Sequence, residues 1–256
     1  MAPMMSIEGL RPNREIAEPR TIARFLGRIE VRCDGIRIDA RLPAQALATL
    51  VYLLAHHGEI LRRDDVAYTL WPDLSETDAK TALRRNLYTI AQALPARPAP
   101  WICCDAKTVT WDPAPETTWV DATEFEAGTQ TAETFEEAAR LYRDDFAPKI
   151  DRDWALAIRE RLLRRAKRTL EHLVERYVAR HDAQTALAHC EHLLEIDPWR
   201  EDALCSTMRL RYRLGDRAGA LHSYRRFCGR LHDEFGVEPM PETEACYSTI
   251  SSGARM

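Results

Sequence analysis

Two stretches near the C-terminal end repeat each other at a spacing of 34 residues, and this spacing limits the fold more than any other feature. The equivalent positions are His181-Asp182 with Gly215-Asp216, Ala186-Leu187 with Ala220-Leu221, and Cys190 with Tyr224. A period of about 34 residues is typical of helix pairs that stack side by side. Each pair buries its apolar face only against its neighbours, so this part of the chain is predicted to be a helical stack.

The remaining sequence after about Asp121 also has helical periodicity. A long helix is predicted from about Trp154 to His181, where apolar residues recur every three or four positions. Gly236 is predicted to end a later helix as a left-handed cap. Pro241 then begins a short helix, to about Ile250, which covers the end of the stack.

The first half of the chain begins with a different pattern, in which apolar and charged residues alternate. Residues 28–33 alternate in this way, which predicts a strand with one buried face. Asp34-Gly35 favours a tight hairpin turn, and residues 36–39 predict the return strand. The chain is therefore expected to open with a small antiparallel sheet.

Helices and a second hairpin follow this sheet. The predicted elements are a helix from Pro43 to near Gly58, a helix from Asp64 or Asp65 to Trp71, a helix capped within 75–78 that ends at about Ala93, and a hairpin over 101–111 with its turn at 105–107. This order is that of a winged helix-turn-helix with an extra N-terminal sheet. The fold class is therefore mainly α with small β, a winged helix-turn-helix followed by an all-α repeat domain.

Pro113 and Pro115 mark the boundary between the two parts. The expected division is a mobile leader over 1–23, a DNA-binding winged helix over 24–112, a linker over 113–118 and a repeat domain over 119–252.

Composition and cysteine usage argue against several classes of protein. Seven cysteines are scattered without a Cys-x-x-Cys pair, which predicts reduced thiols and a cytoplasmic location. The sequence has no apolar run of about 20 residues, so no membrane association is expected. His189 and His192 lie three positions apart, but zinc needs three or four converging ligands, so no metal site is expected. Phosphate-binding loops and nucleophile motifs are lacking, so neither a cofactor nor enzyme activity is expected.

Several short motifs resemble known regulators. The first half resembles the OmpR-like winged helix at Phe25-Leu26-Gly27, 50–56, Asp64-Asp65-Val66, Leu70-Trp71-Pro72-Asp73 and 82–87. The second half resembles the bacterial transcriptional activator domain (BTAD), which is similar to tetratricopeptide (TPR) repeats, at 119–125 and 234–243. The chain thus looks like the SARP-type activators, and the resemblance covers about residues 24–250.

The resemblance implies specific partners. It implies binding to direct repeats of double-stranded DNA near a promoter, and recruitment of RNA polymerase through the loop after the second helix, at Asp73, Leu74, Ser75 and Glu76. The chain departs from its relatives at two places, because Arg41 is the lone basic residue at the start of the first helix and 89–94 carries none. Both losses weaken the expected electrostatic attraction to DNA.

The third helix provides the predicted DNA-reading face. Its apolar stripe is Ala79, Leu83, Leu87, Ile90 and Leu94. On or near the opposite face lie Thr77, Thr81, Arg84, Arg85 and Tyr88. A major groove admits such a helix, arginine forms paired hydrogen bonds with guanine, and threonine contacts a thymine methyl group. A solvated helix face has the same pattern, so the winged-helix order is what favours DNA contact.

Four further basic groups lie outside this face. Lys107 lies at the predicted wing tip, where it can approach the DNA backbone or the minor groove, and Arg62 and Arg63 can contact phosphate; solvation explains all three equally well. The run 161–168 contains five basic residues. It is either a second contact with DNA or polymerase or, more simply, the polar face of an amphipathic helix.

The net charge of the first half and the size of one DNA interface indicate how DNA would be bound. Residues 24–112 contain 12 Lys/Arg and 11 Asp/Glu, so DNA binding requires a focused patch. One small interface binds weakly, so a homodimer or a tandem array is expected on DNA. The leading hypothesis is a sequence-specific DNA-binding transcriptional activator. The alternative is a protein-binding adaptor whose winged helix no longer binds DNA.

Overall fold

The computed structural model describes residues 20–111 and 117–253. A four-stranded sheet opens the chain and also includes a strand from much later in the sequence. Its strands are β1 (Thr21–Arg24), β2 (Glu30–Cys33), β3 (Ile36–Arg37) and β7 (Thr118–Val120). Their order is β3-β2-β1-β7, and β7 runs parallel to β1 while the other pairs are antiparallel. Asp34 and Gly35 at the β2–β3 turn have φ of 46° and 78°, as the predicted tight turn requires.

Part of the segment predicted to be a mobile leader belongs to the strand β1. Residues 1–19 lie outside the described residues, but residues 21–23 of the predicted leader belong to β1. Thr118, predicted to end the linker, begins β7, while 113–116 lie outside the described residues. The physical reason in both cases is pairing, because each short strand acquires its backbone hydrogen bonds from the other.

Three helices and a second sheet form the rest of the first half. These elements are α1 (Ala44–Ala55), β4 (Leu61–Arg62), α2 (Arg63–Leu70), α3 (Glu76–Ala93), β5 (Ile102–Cys104) and β6 (Thr108–Trp111). The order β4-β6-β5 makes β5 and β6 the hairpin of a winged helix. Pro43, predicted to be the first residue of this helix, is its N-cap, so α1 begins one position after the predicted start. The element order of a winged helix-turn-helix is therefore confirmed.

Beyond β7, the described residues of the second half form helices and the loops that connect them, and Phe146 in one loop makes an isolated antiparallel bridge to Leu26. The helices of this half are α4 (Asp121–Gly128), α5 (Phe135–Leu141), α6 (Asp153–Ala179), α7 (Ala183–Ile196), α8 (Glu201–Arg213), α9 (Arg217–Phe235) and α10 (Pro241–Ser252). From α5 onward each helix packs against the next. Gly236 follows α9 with φ of 66°, which confirms the predicted left-handed cap.

The predicted repeat is visible in the caps and in the core. Asp182 accepts a hydrogen bond from the backbone N–H of Thr185 at 3.0 Å, and Asp216 accepts the equivalent bond from Gly219 at 2.8 Å. Ala186 and Ala220 are both fully buried, four residues after those caps. The two helix pairs are therefore in the predicted register.

One apolar core continues from the winged helix into the first helices of the repeat half. Phe25 meets Phe146 edge to face at 5.7 Å between ring centroids, and Tyr52 meets Trp154 in the same way at 5.2 Å. Such pairs contribute about 0.5–1.5 kcal/mol beyond the burial of their area. The division of the chain into two domains remains a prediction, and the two halves pack against each other through these rings.

Among the helices that the structure describes, none is both long enough and apolar enough to span a bilayer.

Candidate nucleic-acid interface

Helix α3 has one buried and one exposed face. The buried side chains Ala79, Leu83, Leu87 and Ile90 are 4%, 1%, 8% and 0% exposed. They pack this helix against α1 and α2. Burial of an aliphatic side chain of this size stabilises by about 1.5–3 kcal/mol, so the rotation of α3 about its axis is determined by its apolar stripe.

The opposite face of α3 is open to solvent. The predicted DNA-reading residues Thr77, Thr81, Arg84, Arg85 and Tyr88 are all exposed. At about 1.5 Å per residue, they extend over about 16 Å of helix. Neither Arg84 nor Arg85 forms an ion pair within the described part of the chain. Their guanidinium groups therefore remain available to an external acceptor.

The start of α2 is held against the hairpin. Arg63 donates from its backbone N–H to the carbonyl of Lys107 at 2.8 Å, and from its guanidinium to the carbonyl of Asp105 at 2.7 Å. Arg62 pairs with Thr108 in the β4–β6 ladder. Arg63 is therefore half-buried and has a structural role, whereas the side chain of Arg62 is exposed and lies 3.8 Å from Asp65.

The turn of the β5–β6 hairpin is organised by one carboxylate. Asp105 accepts the backbone N–H groups of Lys107 and Thr108, both at 2.6 Å, and the Thr108 hydroxyl at 2.9 Å. These N–H donors lower the pKa of Asp105 below its ordinary value. The turn therefore presents the exposed Lys107 side chain in a defined position.

These elements enclose a cleft of about 570 Å³ between α3 and the hairpin. It brings together Arg62, Arg63, Arg84 and Lys107, which come from three separate segments of the sequence. The other four predicted residues of α3 (Thr77, Thr81, Arg85, Tyr88) do not line it and lie along the exposed helix face.

Lys80 also lines the cleft and was not predicted as a site residue. Its ammonium group lies 2.6 Å from Glu76 and 3.0 Å from Asp64, which raises the pKa of Lys80. The Glu76–Lys80 spacing of four residues is a pattern that could have identified this pair. Because both acids offset its charge, Lys80 adds less to the positive potential than Arg84 or Lys107.

The loop between α2 and α3 lies at the N-terminal end of the same helix. All four residues predicted to contact polymerase are exposed, and Leu74 is 46% exposed. Ser75 has a second role, because its hydroxyl oxygen accepts the backbone N–H of Asp78 and so caps α3. Asp73 and Leu74 have no such role in the helix.

His189, one of the two histidines spaced three positions apart, contacts an aromatic ring and a carboxylate. His189 stacks on Tyr177 and lies 3.4 Å from Glu136. Within 20–111 and 117–253, no three His, Cys, Asp or Glu side chains gather in a way that could hold a metal ion.

Comparison with known proteins supports the assignment of the second half. Residues 117–251 match the model of the bacterial transcriptional activator domain. No curated protein matches the sequence. Among solved structures, the chain is similar to Mycobacterium tuberculosis EmbR in complex with a low-affinity phosphopeptide, with a TM-score of 0.63 and 19% identity. This match covers 93% of the present chain and 67% of the other, and at this identity it shows a shared fold.

The matched segment is more than half of the chain, and it includes both motifs that resemble the activator domain in the sequence. The chain belongs to the bacterial transcriptional activator domain family.

Proposed function

We propose that the chain binds double-stranded DNA in a sequence-dependent manner and activates transcription from the bound site. The observation that carries this proposal is the exposed face of α3, whose Arg84 and Arg85 have no ion pair among the described residues, beside a cleft that adds Arg62, Arg63 and Lys107. A helix of this kind fits the major groove, and the hairpin then lies over the neighbouring backbone or minor groove.

The residues divide into two roles. Arg84, Arg85, Thr77, Thr81 and Tyr88 read base edges or position the helix in the groove, because they occupy its outer face. Arg62 and Lys107 contact phosphates at the border between α2 and the hairpin, and Arg63, whose guanidinium bonds to the Asp105 carbonyl, holds the hairpin turn beside them.

The test of base reading is a titration of each variant against a site selected with the purified chain. Arg84→Ala or Arg85→Ala is expected to cost about 1–3 kcal/mol and to relax the sequence preference at one position. The matched control is the double variant Arg164→Ala/Arg165→Ala on α6, where these arginines already contact Glu160 and Glu126. Wild-type affinity of both α3 variants, with normal folding, would contradict the proposed face.

Salt dependence separates the two roles. Lys107→Ala is expected to weaken binding to all sequences alike and to lower the slope of log K against log salt by about 0.9. If the unchanged protein shows no salt-dependent affinity for duplex DNA, the whole proposal fails.

We assign the polymerase contact to the α2–α3 loop. Asp73→Ala/Leu74→Ala is expected to reduce transcription in a purified system while DNA occupancy stays unchanged, because neither residue caps α3. Loss of DNA affinity in this variant would instead mean that the loop supports the helix. Binding by a homodimer or a tandem array follows from the small size of one interface, and footprinting on one and two half-sites measures it.

A second candidate function is protein binding by the repeat half. A cleft of about 480 Å³ between α7, α8 and α9 is lined by Arg211, Arg226 and Arg230 and by Glu191 and Glu195. This cleft favours an adaptor role. Partner capture that persists in a variant with no DNA affinity would support this function over the first.

A further inference from the structure

A third cleft, of about 570 Å³, lies where the first half of the chain meets the second. One wall is β1 with the turn that follows it, and the other is β7 with the end of α5 and the next loop. Its lining includes no residue of α3 or of the β5–β6 hairpin. The cleft is therefore distinct from the proposed DNA-binding surface, and an occupant would contact both halves.

Two arginines come from the first half. Arg24 and Arg28 lie 3.4 and 3.1 Å from Glu30, which also receives Arg32 at 3.0 Å. One carboxylate is thus shared by three guanidinium groups. The hydrogen bond from Arg32 and the charges of its neighbours hold the pKa of Glu30 below its ordinary value. This side of the cleft has an excess of positive charge.

Two more arginines come from the second half. Arg140 and Arg143 are exposed and form no ion pair within the described residues. Two acidic groups also line the cleft. Asp144 is exposed and accepts the N–H of Asp145 at 2.8 Å, and Asp121 is buried and accepts backbone N–H groups beneath the cleft. The lining therefore contains four arginines and two aspartates, an excess of positive charge.

A backbone hydrogen bond connects the two walls of the cleft, and a tryptophan ring lines one of them. The backbone N–H of Gly27 donates to the carbonyl of Asp145 at 2.9 Å, which joins the two walls. Trp119 on β7 lines the cleft and is partly exposed, with the guanidinium of Arg24 5.9 Å from its ring centroid. The site is preformed, and it contains a fluorescent side chain that can report on an occupant.

We propose that this cleft binds a compound with two or more phosphates, either a nucleoside di- or triphosphate or inorganic pyrophosphate. The guanidinium fork matches phosphate oxygens in paired hydrogen bonds, and a converging group of arginines from separate segments is suited to such anions. The volume lies in the range of small-molecule sites, about 300–1,000 Å³. The bound anion joins Arg28 of the first half to Arg140 and Arg143 of the second and stabilises their junction.

The experiment uses the full chain without DNA and titrates ATP, ADP and pyrophosphate by calorimetry and tryptophan fluorescence. Arg140→Glu/Arg143→Glu is expected to weaken binding at least about tenfold, because two attractive contacts become repulsive. The matched control is Arg84→Glu/Arg85→Glu, which makes the same charge change on α3. This control is expected to lose affinity for DNA and to retain affinity for ATP, ADP and pyrophosphate. Failure of the DNA-binding proposal is therefore distinguishable from failure of the phosphate-binding proposal.

The Trp119→Phe variant tests whether Trp119 is the source of the fluorescence change. It is expected to retain binding by calorimetry and to lose most of the fluorescence change. Equal affinity for pyrophosphate and ATP would support a site that recognises phosphates alone, and tighter binding of ATP would support a nucleotide site. No binding at about 1 mM ligand, or equal loss in the α3 control, would overturn the proposal.

Discussion

Asp121 occupies the junction of the two halves, and replacing it by asparagine changes its charge at nearly constant shape. Its Oδ1 accepts the backbone N–H groups of Phe25 and Ala122, both at 2.8 Å, and its Oδ2 accepts that of Leu26 at 3.1 Å. The residue is only 5% exposed. These bonds connect the first residue of α4 to the end of β1.

Burial and hydrogen bonding act on this carboxyl in opposite directions. Burial raises the pKa of Asp121 and the N–H groups of Phe25, Leu26 and Ala122 lower it, and because burial is the larger effect the resulting pKa is about 6. In the unfolded chain the pKa is close to 3.8. The folded state therefore binds the proton more tightly, and this contribution to stability is fully present below about pH 4 and is lost as pH rises through about 6.

The size of the effect follows from the difference of about two pKa units. At about 1.4 kcal/mol per unit, the full Asp121 contribution is about 3 kcal/mol. Because the unfolded carboxyl is already largely ionised at pH 4.5, about 2 kcal/mol of this contribution is lost between pH 4.5 and pH 7.5. Asparagine does not titrate, so the stability difference between wild type and Asp121→Asn should shift by this amount in favour of the variant as pH rises. Asp121→Asn also replaces an acceptor by a donor, which leaves a buried N–H unpaired at a cost of about 1–3 kcal/mol at every pH.

The assay is urea unfolding of both proteins at several pH values from 4.5 to 7.5, followed by circular dichroism. Asp144→Asn, an exposed aspartate nearby, is the matched control and should show no comparable shift. A stability difference that is independent of pH would refute the reasoning. A difference that moves toward wild type as pH rises would show that the three N–H donors outweigh burial.

Two predictions concern the repeat register. His181 and Gly215 are equivalent positions with φ of 59° and 85°, so His181→Gly should stabilise the chain by about 1 kcal/mol and Gly215→Ala should destabilise it similarly, measured by urea unfolding; no gain in His181→Gly would contradict this account. Ala220 is fully buried, so Ala220→Leu should overpack its site and cost about 1–3 kcal/mol, while the exposed Ala218→Leu is the control and an equal cost in both variants would show that packing is not the cause.

Local features of the sequence predicted most of the elements correctly. The α3 stripe, the Asp34-Gly35 turn, the Gly236 cap and the repeat at Ala186 and Ala220 all depend on residues close together in the chain or on a fixed period. Such patterns express short-range physics, namely helix periodicity, turn geometry and left-handed caps.

The candidate DNA surface was only partly predictable. The exposed face of α3 followed from its apolar stripe, because the two faces of one helix determine each other. Arg63 showed the limit of this argument, since its guanidinium bonds to the Asp105 carbonyl in a turn 42 residues away. The spacing of Lys80 from Glu76 is visible in the sequence, but its place in the cleft and its contact with Asp64, which comes from a different helix, are not.

The sequence by itself determined most of the helices, the two hairpins and where the repeat lies. Tertiary structure decided how the two halves meet: β7 pairs with β1, Asp121 binds the end of β1, and arginines near 24–28 and 140–143 converge on one cleft. A strand as short as β7 has no alternating pattern to recognise, and its partner lies almost 100 residues away. Such contacts depend on the packing of everything between them, so they exist only once the shared core has formed.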